Sequence, residues 1–193
     1  MKRIACIVLS LLLLLSALAA CAEGFTIRNG ITWGMGKDEI LAAEGNPGED
    51  QYDYYPSESG IESLTIDPVT AAGTEALIGY LLIGDSLCAI QYIFYSITPE
   101  RLKATYTEKY GQPVEVDQAR LLDVLSGLLE EGRSVNIAKN YDPALSCQWD
   151  LPDAYIVLLG VGDDEPNVFY FSEDEIARQN DLRNNPPLNT DGI

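Results

Sequence analysis

Two neighbouring segments, Glu75 to Ile83 and Leu87 to Ser96, read as strands joined by the hairpin signal Gly84-Asp85-Ser86. Their side chains do not alternate between apolar and polar. In the first strand one set holds Ala76, Ile78, Tyr80 and Leu82, and the opposite set holds Leu77, Leu81 and Ile83. The second sets Cys88, Ile90, Tyr92 and Phe94 against Leu87, Ala89, Ile93 and Tyr95. An antiparallel sheet with one wet face shows a polar set on that face. A hairpin apolar on both faces therefore needs cover on both sides, or else offers one face as a tyrosine-bearing platform to a partner.

The rest of the chain supplies helices with well-marked ends. Lys37 to Glu44 reads as a short helix stopped by Gly45-Asn46-Pro47, a left-handed cap followed by proline. Thr98-Pro99-Glu100 opens a second helix, which carries Leu102, Tyr106 and Tyr110 on one face and ends at Gly111-Gln112-Pro113. A third runs from about Asp117 to Glu131, before Gly132. Its Leu121, Leu122, Leu125, Leu128 and Leu129 follow the helical period, as a core-facing stripe does. Further strands are expected over Ile27 to Trp33, Cys147 to Leu151, Ala154 to Val161 and Asn167 to Ser172. The reading is an α+β fold, an antiparallel sheet with helices segregated beside it on one face.

The two halves repeat an order of elements: a helix ending in Gly-x-Pro, a connection, then a hairpin whose last strand is aromatic. Residues 27–96 and 98–172 are thus candidate pseudo-repeats within one domain spanning 27–180. Residues 181–193, with Asn-Asn-Pro-Pro-Leu-Asn-Thr-Asp-Gly at their core, read as a disordered tail.

The run Gly30-Ile31-Thr32-Trp33-Gly34-Met35-Gly36-Lys37-Asp38-Glu39-Ile40, followed by Gly45-Asn46-Pro47, resembles the entry helix of the SmpA/OmlA-like lipoprotein domain. That domain shares its layout with β-lactamase-inhibitory proteins, which carry two tandem copies. The resemblance implies helices on one sheet face and a protein-binding surface on the other. The chain departs from that pattern in showing one helix before its strands and a long connection, Gln51 to Thr74.

Composition narrows the chemistry. There is no histidine, which removes Ser-His-Asp and Cys-His nucleophile systems and histidine-bound zinc. Gly34-Met35-Gly36-Lys37-Asp38 lacks the glycine and hydroxyl residue of a phosphate loop, and Asp38 and Glu39 repel a phosphate from that helix end. Asp163-Asp164-Glu165 lacks the ligand spacing of a calcium loop and reads as a hairpin turn. No catalytic residue, cofactor or metal is expected. The formal net charge of −18 repels nucleic acid and anionic headgroups, and suits a partner of basic character. Binding candidates are Tyr52, Tyr54 and Tyr55, set among acids, with Tyr80 and Tyr92 on the sheet. Cys88 and Cys147 are candidates for a disulfide, buried free thiols being the alternative.

The amino terminus has an address. Lys2 and Arg3 precede an apolar run from Ile4, and the segment closes on Leu18-Ala19-Ala20-Cys21. This is similar to the lipobox of bacterial lipoprotein signal peptides, which implies removal of residues 1–20, lipidation of Cys21 and a tether over residues 21–26. Ala20-Cys21-Ala22 also fits ordinary secretory cleavage, and the apolar run is long enough to remain as an uncleaved anchor. All three alternatives place the domain outside the cytoplasm, and in the first the lipid anchor is its only contact with the membrane. The expected function is a lipid-anchored module that binds a protein or peptide at the bacterial cell envelope. The alternatives are a carboxylate-dependent hydrolase of envelope glycans or peptides, and a purely structural envelope lipoprotein.

Overall fold

The computed structural model describes residues 27–56, 60–129, 137–160 and 165–186. The signal segment, Cys21 and the tether lie outside them, as do residues 161–164 of the acidic hairpin turn and the last residues of the tail. No helix among the described residues is long and apolar enough to cross a membrane.

The fold is α+β, built on a seven-stranded antiparallel sheet. Its strands are β1 (Tyr52–Tyr55), β2 (Ile61–Ala71), β3 (Thr74–Ile83), β4 (Leu87–Phe94), β5 (Asp142–Leu151), β6 (Ala154–Gly160) and β7 (Asn167–Phe171), in the order β1-β2-β3-β4-β7-β6-β5. Two meanders, β2-β3-β4 and β5-β6-β7, meet at a seam where Gln91 pairs with Phe169 and Tyr92 with Val168. Three strands run outward from the seam in reverse chain order on either side, β4-β3-β2 and β7-β6-β5, and β1 adds a fourth beyond β2.

The expected hairpin forms. Gly84 and Asp85 both take positive φ, 57° and 58°, the backbone that a tight turn between right-twisted strands requires. Asp85 also reaches helix α1 (Lys37–Ala43), where its Oδ1 accepts the Lys37 N–H at 2.7 Å. Glu39 accepts the Gly36 N–H at 3.0 Å. Both carboxylates sit on the helix N-terminus, as the repulsion of a phosphate there demands.

Cover lies on both faces of the sheet, not on one. On face one, Ile40 of α1 and Leu102 and Tyr106 of helix α2 (Pro99–Tyr110) pack on Ile78, Tyr80, Ile90, Tyr92, Leu158 and Tyr170. On face two, helix α3 (Gln118–Leu128) and helix α4 (Glu173–Asn184) bring Leu121, Leu125, Leu128 and Ile176 against Val157, Leu159, Phe169 and Phe171. Strand β6 is buried at every position. Each such side chain contributes roughly 1.5–3 kcal/mol when fully buried, so neither face can be left open. The two-faced apolar pattern, and not the one-sided arrangement implied by the family resemblance, determines where the helices lie. A bulge reconciles the β3–β4 hairpin with both cores. Leu81 pairs with Ala89 and Leu82 with Leu87, so the extra residue Cys88 turns inward beside Ala89 on face two.

Three elements differ from expectation. Ile27 to Trp33 is not a strand: Arg28–Gly30 forms a single 3-10 turn with Asn29 at φ 55°. Gln51 to Thr74 is not a long connection, because β1 and β2 lie within it and an Ala72-Gly73 turn joins β2 to β3. The tail begins later than residue 181, since α4 continues to Asn184. Ser172 caps α4, its Oγ accepting the Glu175 N–H at 3.2 Å.

Candidate functional site

A cleft of about 410 Å³ opens on face one. Its floor is aromatic: Tyr92 comes from β4 and Tyr170 from β7, the two strands of the seam. Helix α2 forms one wall with Thr105, Tyr106, Lys109 and Tyr110, one turn apart in pairs as helical geometry dictates. The opposite wall is the 3-10 turn carrying Arg28, with Thr70 to Ala72 at the end of β2. The volume falls in the range of ordinary ligand pockets.

The tyrosines form one packed group. Tyr92 and Tyr170 meet edge to face at 5.8 Å, and Tyr106 lies 6.2 Å from Tyr170 and 5.7 Å from Tyr110. Trp149 backs Tyr106 at 5.6 Å. The Tyr170 hydroxyl donates to the Tyr106 oxygen at 2.7 Å. Burial pushes the Tyr106 and Tyr170 phenols above the ordinary range, so both stay neutral donors at any physiological pH. Burial also pushes Tyr92 up to about 12, against the opposing pull of the Arg28 guanidinium.

Behind the cleft sits a buried charge pair. Arg28 Nε lies 2.9 Å from Glu44 Oε1; the Glu44 side chain is 5% exposed and that of Arg28 25%. Asn29 Nδ2 donates to Glu44 Oε2 at 3.0 Å, and the Tyr80 hydroxyl donates to Glu44 Oε1. Glu44 is thus held by three side chains. The Arg28 Nε and Nη1 are buried, and neither makes a well-directed hydrogen bond, so Nε meets Glu44 as an ion pair only.

Of the tyrosines expected to bind, only Tyr92 reaches the cleft. Tyr80 is 0% exposed and cannot touch a partner; burial, then its bond to Glu44, raises its pKa. Tyr52 and Tyr54 are not in a loop but on β1, half-buried against the face-one core. The Tyr54 hydroxyl donates to Glu62 Oε2 at 2.5 Å, which pushes the phenol up to about 12, and Lys37 Nζ stands 4.5 Å over its ring. Tyr55 alone of the group is open, at 59% exposure. The aromatic platform expected on the open sheet is therefore replaced by a cleft.

The disulfide is not formed: Cys88 and Cys147 are both free and buried. Cys88 belongs to the face-two core and Cys147 to face one. Strands β7 and β6 lie between β4 and β5, a separation of roughly 14 Å at the usual strand spacing. No cysteine pair bridges that distance. Burial pushes the thiols up to about 12 and about 11, which leaves them little nucleophilic thiolate.

Sequence reasoning passed over Arg28, Thr105, Lys109, Tyr106, Tyr110 and Tyr170 as site residues. Tyr106 and Tyr110 were visible as one helix face, with core packing as the natural reading. Arg28 gave no signal, because its place depends on a turn where a strand was expected. Among the described residues, no group of histidine, cysteine and carboxylate side chains could hold a metal ion. Comparison with protein-family models, with curated proteins and with solved structures finds no match to this chain.

Proposed function

We propose that this chain is an exported binding module, anchored at the bacterial cell envelope through lipidated Cys21, that takes a protein or peptide partner at the tyrosine cleft. The observation that carries the binding half is the cleft itself. It joins a rigid aromatic floor to polar tips and two cations, the combination that gives large contact area at low entropic cost. The address rests on Leu18-Ala19-Ala20-Cys21 and on the resemblance of the entry helix to envelope lipoprotein domains.

The hydrolase reading is the weaker one at this site. Paired carboxylates are what glycoside hydrolysis needs, and none of the described residues lining the cleft is acidic. Glu44, which pairs with Arg28 of the cleft wall, is 5% exposed.

Two measurements test the proposal. Mass analysis of membrane and soluble fractions should find a diacylated or triacylated Cys21 in the membrane, and a Cys21→Ala variant should lose that fraction. An unmodified mature chain in the soluble fraction would overturn the anchor. Crosslinking from the cleft rim, at position 109, should recover one reproducible partner from envelope membranes. Recovery of the same proteins from a rim on face two would overturn the cleft as the working surface.

A further inference from the structure

The cleft has the opposite charge character to the rest of the molecule. The chain has 30 acidic residues against 12 basic ones, yet the charged residues described in the cleft wall are Arg28 and Lys109. A random sample of this surface would be mostly acidic. The two cations stand on separate elements, the 3-10 turn and α2, and face one space.

Their surroundings fix what each can still bind. Glu44 takes the Nε side of Arg28, and Nε and Nη1 are both buried. A quarter of the Arg28 side chain is exposed where it lines the cleft, and its guanidinium also stands within hydrogen-bonding reach of Tyr92. Lys109 is exposed, and its Nζ lies 4.7 Å over the Tyr110 ring. Between the cations lie Tyr92 and Tyr106, whose neutral hydroxyls can donate to an oxygen, the Tyr170 proton being already given to Tyr106. A compact anion with an apolar body satisfies both parts: charge-assisted bonds from Arg28 and Lys109, and ring contacts with the tyrosines.

Resting on the reading of the cleft as a peptide-binding site, we infer that it captures the free carboxylate end of a peptide whose last residue is aromatic or bulky and apolar. The acidic outer surface attracts basic chains in general, while the cleft selects an anionic terminus. Specificity then comes from the terminus, because an interior segment of the same sequence offers no carboxylate to the two cations.

The test is calorimetric titration of the mature domain with a short neutral peptide ending in phenylalanine, the same peptide as its C-terminal amide, and N-acetylphenylalanine. The free acid should bind, and amidation should weaken it about tenfold or more, the usual scale for a lost charge-assisted hydrogen bond. Lys109→Gln, on an exposed side chain, should weaken the acid several-fold, leave the amide unchanged and flatten the salt dependence. Arg28→Gln should do the same more strongly, with its thermal unfolding measured in parallel. Equal binding of acid and amide would overturn the inference while leaving the peptide-binding reading in place. Binding of N-acetylphenylalanine as tight as that of the peptide would overturn the peptide source and leave a small carboxylate as the ligand. No binding of any of the three overturns the inference, and a partner still crosslinked at position 109 would then show the binding reading standing without it.

Discussion

The two faces of the sheet are both covered, but with different chemistry. Face two is closed by leucines and phenylalanines, with Phe169 and Phe171 stacked at 5.6 Å under α3 and α4. Face one uses tyrosines at Tyr80, Tyr92, Tyr106 and Tyr170, each with a hydroxyl that needs a partner when buried. Tyr80 finds Glu44, and Tyr170 finds Tyr106. Face two is packed mainly with hydrocarbon, the Tyr155 hydroxyl donating to Gln148 Oε1 at 3.0 Å as a buried polar contact. The polar-tipped face leaves a cavity because its hydroxyls and its Arg28–Glu44 pair prevent the helices from closing over it with pure hydrocarbon.

That contrast can be broken by substitution. Leu125, fully buried on face two, is the strongest lever: Leu125→Ala should cost about 2–5 kcal/mol in urea unfolding and leave ligand binding in the cleft intact. On face one, Glu44→Ala should cost about 2 kcal/mol, below the range for a fully buried ion pair because Arg28 is a quarter exposed. It should also change cleft affinity, since it frees the guanidinium. Tyr170→Phe should cost only about 1 kcal/mol, the net worth of one hydrogen bond. A cost as large as that of Leu125→Ala would erase the distinction between the faces.

The smallest effect concerns pH. Burial of Glu175 works against its ionisation, yet hydrogen bonds from Arg178, Ser86 and Gln179 hold its pKa down to about 2 from an ordinary 4.5. Its folded pKa is depressed, so its contribution is fully present above pH 4.5 and is lost as pH falls towards 2. Glu175→Gln should flatten that part of the stability curve by lowering stability at neutral pH, where the contribution is present, and should converge with the parent chain as pH falls towards 2. Unfolding midpoints at pH 7, 4 and 2.5, roughly bracketing the window, would show it.

The parts of this arrangement written in local sequence were legible. The Thr98-Pro99 cap, the leucine stripe of α3 and the Gly84-Asp85 turn each specify their own geometry, and the helices and hairpin stand where those signals put them. The apolar pattern of β3 and β4 left cover on both faces and an open tyrosine platform as alternatives, and the helices expected on one face lie on both. Less legible was β2, where the alternation of Leu64 and Ile66 is broken by a bulge before Val69. Helix α4 was missed because its face is sparse, with Ile176 and Gln179 its buried residues, although Ser172 and Glu175 mark its start. The cleft was not legible at all. It needs Arg28, Thr105 and Tyr170 in one place, and no local period relates those positions.

The seam between the meanders also sets the order of assembly. Within each meander, neighbouring strands are joined by short turns, and a hairpin of that kind closes in microseconds. The β4–β7 ladder is different, for it joins Gln91 to Phe169 across α2, α3, β5 and β6. Loop-closure entropy makes that pairing slower to form than the turns within either meander. The cleft floor lies across this ladder, with Tyr92 on one strand and Tyr170 on the other. The floor of the cleft is therefore completed only when the two meanders zip together.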